Sequence, residues 1–190
     1  MPNSTMPSAL DVARFFLDRD SQRAEPDVTP MKLAKLMYFA QANNLADTGS
    51  RLFNSNVEAF EHGPVVHEVW KHYPAGAQIL AVTSREAFET ESNLDQNVIA
   101  FLNKIWQRFS DMSASKLRSM THRHRPWSDH YSPDSFRAVI PDEEMRDWFR
   151  SSSLPSLERV HRDDMTFVAF DVLDQLDDEQ VEMRFRTLFA

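Results

Sequence analysis

Between Thr29 and Asp47 the apolar positions fall on two faces of one helical wheel. Leu33, Leu36, Met37 and Ala40 form one stripe, while Met31 and Tyr38 project from the opposite side. A helix apolar on two faces has no face to give to water, so the pattern predicts a central, mostly buried helix. Thr29 supplies its N-cap and Pro30 its first position, where a missing N–H costs nothing. Asp47-Thr48-Gly49 ends it, glycine being suited to the left-handed conformation just past a helix terminus. Next, Val57-Glu58-Ala59-Phe60-Glu61 alternates as a short strand does, and Gly63-Pro64 turns the chain. Pro64 again fits a first helical position. Val66, Val69, Trp70 and Tyr73 then recur at i, i+3, i+4 and i+7 as the buried side of a second helix.

The remaining elements follow from the same periods. Residues 1–7 read as a flexible tail, after which Ser8 caps a helix, with Asp11 reaching back and Val12, Ala13 and Phe16 facing inward. The polar stretch 21–28, with Pro26, connects this helix to the central one, and 77–93 shows no clean period. Asn93 and Gln96 form a capping-box signature ahead of Val98, Leu102, Ile105, Phe109 and Met112, the strongest helical stripe in the chain. A short helix capped at Ser113 or Ser115 carries Leu117 and Met120 inward; Pro126 closes that helical stretch, and 127–135 reads as a polar loop. Ile140-Pro141-Asp142 opens a further helix with Met145, Trp148 and Phe149 toward the core, ended by Ser151-Ser152-Ser153. Beyond it, 168–172 and 181–186 alternate as a C-terminal β-hairpin would; a helix from Asp178 to Leu188 is the rival reading, and the pattern does not decide. A hairpin edge there would offer a partner a strand to pair with.

Lys32-Leu33-Ala34-Lys35-Leu36-Met37-Tyr38, then Leu52-Phe53, then Glu58-Ala59-Phe60-Glu61-His62-Gly63-Pro64-Val65 form an ordered set. Lys116-Leu117, Thr121-His122 and Pro126-Trp127 continue it. The set resembles the Panacea antitoxin domain, the SocA-like family also labelled phage-associated proteins. Three positions depart from the pattern: Ala34 stands where glutamine is more usual, Phe60 for tryptophan and His67 for proline. The resemblance spans about residues 8–150. It implies an antitoxin, not an enzyme, that neutralises a cognate protein toxin by direct binding, the toxin usually being encoded by the adjacent gene. Combined with the periodicities, the fold class is mainly α: a compact helical Panacea-type domain over 8–150 with a short internal β region, followed by a C-terminal extension over 151–190.

Composition narrows the classes further. A chain of 190 residues with 42% hydrophobic and 11% aromatic content can enclose one real core, and two full domains would be cramped. Twenty-nine acidic against 21 basic residues give a net charge of -8, which repels nucleic acid and anionic membranes and steers encounters toward basic partners. The absence of cysteine removes disulfides and thiolate metal sites and fits a reducing cytoplasm. With no leader pattern and no long apolar run, a soluble cytoplasmic protein is the expectation.

Candidate chemistry is sparse. His62, His67 and His72 lie five apart and His122, His124 and His130 cluster later, so a histidine metal hydrolase is one alternative. Five residues on a helix separate side chains by about 140°, which does not suit a shared metal face. His122 to Arg125 reads instead as a local basic patch, with His122 hydrogen-bonding into the fold near Trp127. There is no nucleophile elbow, phosphate loop or dinucleotide turn, so no catalytic, cofactor or metal residue is assigned. Asp142-Glu143-Glu144, Asp163-Asp164 and Asp177-Asp178 read as helix starts and turns. Lys32, Lys35 and Tyr38 have two readings: a helix flank with packed lysine stems and an anchored hydroxyl, or part of a toxin-contacting groove. Together with Glu58, His62, Gly63, Pro64, Trp70, His122 and Trp127 they make up the candidate partner-binding set. A second alternative is an adaptor without a toxin that hands its partner to a protease.

Overall fold

The computed structural model describes residues 6–73, 79–80, 94–134 and 137–162. Residues 1–5 of the expected tail over 1–7, all but 79–80 of the unread stretch 77–93, and the C-terminal hairpin or helix lie outside them.

Local signals at helix ends place most of the helices. In α1 (Ala9–Ser21) the Ser8 hydroxyl accepts from the Asp11 N–H at 3.1 Å while the Asp11 carboxylate takes the Ser8 N–H, completing a capping box. Helix α2 (Pro30–Thr48) is capped by Thr29 and ends at Gly49, whose φ of 73° is the left-handed value that favours glycine. Every α2 residue from Pro30 to Ala46 except Met31 is buried. That follows from the two-faced pattern, because helices and sheet then surround α2 rather than flank it. Its neighbours are α1, a β-strand pair, α4 (Gln96–Phe109), α5 (Ala114–Thr121) and α7 (Asp142–Arg150). Phe39 stacks on Phe109 with centroids 4.2 Å apart, and Tyr38 meets Phe149 edge-on at 5.8 Å, tying α4 and α7 to the centre. The N-cap of α4 is Asp95, which accepts from Val98 N–H at 2.8 Å, rather than Asn93. Ser113 is the cap of α5.

The β region corrects the reading of Gly63-Pro64. Strand β1 (Val57–Phe60) pairs antiparallel with β2 (Gly63–Val66), in the register Phe60 opposite Gly63 and Ala59 opposite Pro64. Pro64 therefore opens no helix, and α3 (His67–His72) starts three residues later. Proline is tolerated in this strand because β2 lies at the edge of the order β2-β1-β3, where a missing N–H costs no ladder bond. Strand β3 (Ala138–Val139) is too short to show an alternation and was invisible to pattern. Pro126 is the second correction. Instead of closing a helical stretch it sits in the first turn of a single-turn helix, α6 (Arg125–Ser128), so Trp127 is a buried helical residue and not part of a loop.

Past α7, residues 151–162 stay on the core, and Leu154, Glu158 and Val160 are buried. The Asn43 side chain holds this strap: its amide donates to Glu158 O at 3.2 Å and its carbonyl accepts from Val160 N–H at 2.8 Å.

Candidate functional site

Lys32 and Lys35 sit one turn apart on α2, and both ammonium groups are interior, with the residues 0% and 1% exposed. This replaces the picture of lysines lining an outer flank. Lys32 is fully satisfied: Asp27 accepts at 2.7 and 2.8 Å and the Ser110 carbonyl at 2.6 Å. Three N–H donors meet three acceptors, two of them anionic. Among the described residues Lys35 has a single acceptor, the Pro64 carbonyl at 3.0 Å. Burial, and then the nearby Arg118 guanidinium, push its pKa from 10.5 down to about 7.

Gly63 explains how Lys35 reaches that carbonyl. With φ at 101°, a Cβ on Gly63 would lie 2.7 Å from Lys35 Nζ and 2.8 Å from Thr121 Oγ1. Only a glycine lets the strand backbone lie against both groups. Next to Thr121, the His122 ring stacks on Trp127 at 4.0 Å, and Trp127 stacks on Tyr131 at 5.0 Å. Trp127 also donates its indole N–H to Phe60 O at 2.8 Å, so α6 is fastened to the end of β1. Among the described residues His122 Nε2 has no hydrogen-bond partner; burial first, then Arg118 and Lys35, hold the ring's pKa below the usual histidine value.

On the other side of β1, Phe60 lies 6.1 Å from both the His67 and Trp70 rings, with the Arg137 guanidinium 5.5 Å above it. Glu58 is 3.5 Å from His67 Nδ1. His62 is exposed at the turn. The structure thus brings Lys35, Glu58, His62, Gly63, Pro64, Trp70, His122 and Trp127 to one neighbourhood around the β1–β2 turn.

Lys32 and Tyr38 do not belong to that face. Tyr38 instead enters a buried chain that sequence reasoning missed. Its hydroxyl lies 3.1 Å from His124 Nδ1, and His124 Nε2 lies 2.6 Å from Glu158 Oε2. Burial and the Glu158 charge raise the Tyr38 pKa well above its ordinary value, so the hydroxyl keeps its proton, and at the other ring nitrogen Nε2–H donates to the carboxylate. His124 and Glu158 are each 1% exposed, which corrects the reading of 122–125 as one basic patch: Arg123 and Arg125 are exposed, His122 is half-buried against Trp127 and His124 points in. Although tyrosine, histidine and carboxylate are the parts of an acid–base relay, here they are sealed and pin the 151–162 strap to α2. Nothing near Tyr38 or His124 in the chain announces Glu158, 34 residues beyond His124.

Among the described residues no three histidine, aspartate or glutamate side chains are placed to hold a metal, and no helix is long and apolar enough to cross a membrane. A groove of about 700 Å³ lies between α6 and α7, lined by Pro126, His130, Glu144 and Trp148 among others, but none of the candidate partner-binding residues lines it.

Residues 33–128 match the family described as Antitoxin SocA-like, Panacea domain. The chain belongs to this family. Antitoxin SocA of Caulobacter vibrioides (strain NA1000 / CB15N) is 29% identical over 140 residues, 67% of this chain and 74% of that protein. No solved structure matches. The Panacea match runs from α2 through the β1–β2 pair to α6 and so contains all the candidate residues grouped around the turn.

Proposed function

We propose that this protein is an antitoxin that neutralises a cognate protein toxin by binding it directly, without catalysing a reaction, and that the face around the β1–β2 turn makes the contact. Membership of the antitoxin family carries this reading, because the matched residues include those that build the turn and its surroundings. The composition of the face supports it. Trp70 and Trp127, with Tyr131 and Arg137 beside them, are residue types that dominate binding energy at protein interfaces, and here they are held by stacking and hydrogen bonds before any partner arrives. The toxin is the product of the adjacent gene, and the complex forms in the cytoplasm.

The test is growth of a bacterial host expressing the adjacent open reading frame, with and without this protein. Growth arrest relieved by this protein, with the two chains copurifying, is the expected result. Trp70→Ala, which changes a half-buried ring at the face, is expected to lose relief while the protein stays folded by circular dichroism. A neighbour that causes no arrest, or relief without any complex, overturns direct neutralisation. An adaptor delivering its partner to a protease would instead lower toxin abundance in a protease-dependent way.

A further inference from the structure

Four groups able to carry positive charge come from the elements packed around Gly63, whose Cβ position lies 2.7 Å from Lys35 Nζ and 2.8 Å from Thr121 Oγ1: Lys35 from α2, Arg118 one turn before Thr121 on α5, His122 just after it, and His62 next to Gly63 on the turn. Each acts on its neighbours. Arg118 depresses Lys35, and Arg118 and Lys35 work against a charge on His122, which a hydrogen bond to the His62 backbone favours. The charges named as shifting Lys35 and His122 are all positive. Glu61, on the same turn, is exposed and is not one of them; Glu58 is engaged with His67, and Arg125 on α6 is paired with Asp129 at 3.3 Å. Lys116, also on α5, is exposed.

Polar capacity is unspent at the same place. Lys35 offers three N–H bonds to one acceptor, while Lys32, one turn earlier, meets three. Among the described residues His122 Nε2 has no hydrogen-bond partner, the ring's one bond being to the His62 backbone, and the Arg118 guanidinium makes no ion pair. A buried cation normally comes with its anion, as Lys32 does with Asp27. In a chain of net charge -8, a cationic cluster left without a carboxylate is the exception.

We infer that the Lys35, Arg118, His122 and His62 cluster is a receptor for an anionic side chain, an aspartate or glutamate carboxylate presented by the protein partner. This rests on the antitoxin reading for the partner's identity. A carboxylate suits the place better than a nucleic acid, because the overall negative charge repels a phosphate backbone while leaving a single anionic group on a protein surface free to approach. The carboxylate supplies the missing acceptor for Arg118 and His122 and favours the charged forms of Lys35 and His122, so docking takes up protons. Binding therefore tightens as the pH falls from about 8.5 to about 6, a range that spans the Lys35 midpoint near 7.

Two measurements on the full chain test this. The first needs no toxin: NMR titration of the Lys35 ammonium and the His122 ring with and without glutarate as the probe. The Lys35 midpoint, near 7 in the free protein, is expected to rise with glutarate. Unchanged midpoints at saturating glutarate overturn the assignment. The second is calorimetry of the toxin complex at both pH values with wild type, Arg118→Gln, His122→Gln and Lys116→Gln. Losing a charge-assisted contact predicts about a tenfold to hundredfold weaker complex for Arg118→Gln, less proton uptake for His122→Gln, and no more than about a twofold effect for Lys116→Gln. Should Arg118→Gln and Lys116→Gln bind alike, with no protons taken up by wild type, the inference is wrong while the antitoxin reading stands. Conversely, glutarate binding with no toxin binding leaves the cluster and removes the antitoxin reading. Binding of a short RNA that Arg118→Gln abolishes, with the toxin complex untouched, would give the cluster to phosphate and overturn the carboxylate.

Discussion

Trp127 donates its indole N–H to the backbone carbonyl of Phe60 at 2.8 Å, across 67 residues of chain. That single bond joins the α5–α6 corner to the end of β1 and sets the spacing between the His122–Trp127–Tyr131 stack and the Phe60–Trp70 pair. Trp127→Phe keeps an aromatic ring for stacking and removes the donor. It is expected to cost about 1 kcal/mol, and Trp127→Ala, which also leaves a cavity, about 3–5 kcal/mol. Urea unfolding of the two variants measures both; a Trp127→Phe variant as stable as wild type would show that the hydrogen bond contributes nothing.

Among the described residues two glycines adopt positive φ for different reasons, and alanine separates them. At Gly49 nothing lies within 4 Å of the position a Cβ would take, so Gly49→Ala carries only the left-handed backbone cost, about 1 kcal/mol. Gly63→Ala adds a Cβ 2.7 Å from Lys35 Nζ and 2.8 Å from Thr121 Oγ1, for a total of about 3 kcal/mol. Thermal unfolding of the pair decides whether close approach or conformation governs the turn.

Lys35 makes stability depend on pH in a defined window. Below about 7 the side chain is charged in both the folded and unfolded chain, and the full cost of burying it is present. Between about 7 and 10.5 the unfolded chain holds a proton that the folded one has lost, so this contribution to stability rises with pH. Above 10.5 the cost is gone. Its full size is on the order of 5 kcal/mol. Lys35→Met is accordingly expected to raise stability at pH 6.5 by more than at pH 9.5, as measured by denaturant midpoints; a difference between variant and wild type that does not change with pH would contradict it.

Glu158 anchors the strap through His124 and, at 3.5 Å, Arg123. Glu158→Ala strands the His124 N–H in the core and is expected to cost about 2–4 kcal/mol, with faster proteolysis after Arg150. Asp142→Ala, which breaks the half-exposed pair with Arg51, is expected to cost under about 1 kcal/mol. Limited proteolysis followed by mass spectrometry reads both.

How much of this was legible in the chain depends on the range of the interactions. Helix ends were readable because a cap is made within four residues: Ser8 with Asp11, Thr29 with Lys32, Ser113 with Lys116. The motif residues could be named from the chain, but not which of them lie together. Lys32, Lys35 and Tyr38 look alike as a ladder on one helix, but their side chains end in three separate places, at Asp27, Pro64 and His124.

From the sequence alone came the central place of α2, the capped helices around it, the family and the identity of most residues at the face, since periodicity, caps and motif order are properties of neighbouring residues. Only the tertiary structure decided that Gly63-Pro64 is an edge strand, that Pro126 opens a turn with Trp127 inside it, and that Tyr38 is sealed against His124 and Glu158. It also decided that Lys32 is neutralised while Lys35 is not. Those outcomes turn on which backbone carbonyls and carboxylates arrive from distant parts of the chain, and a buried charge takes its character from what it meets there.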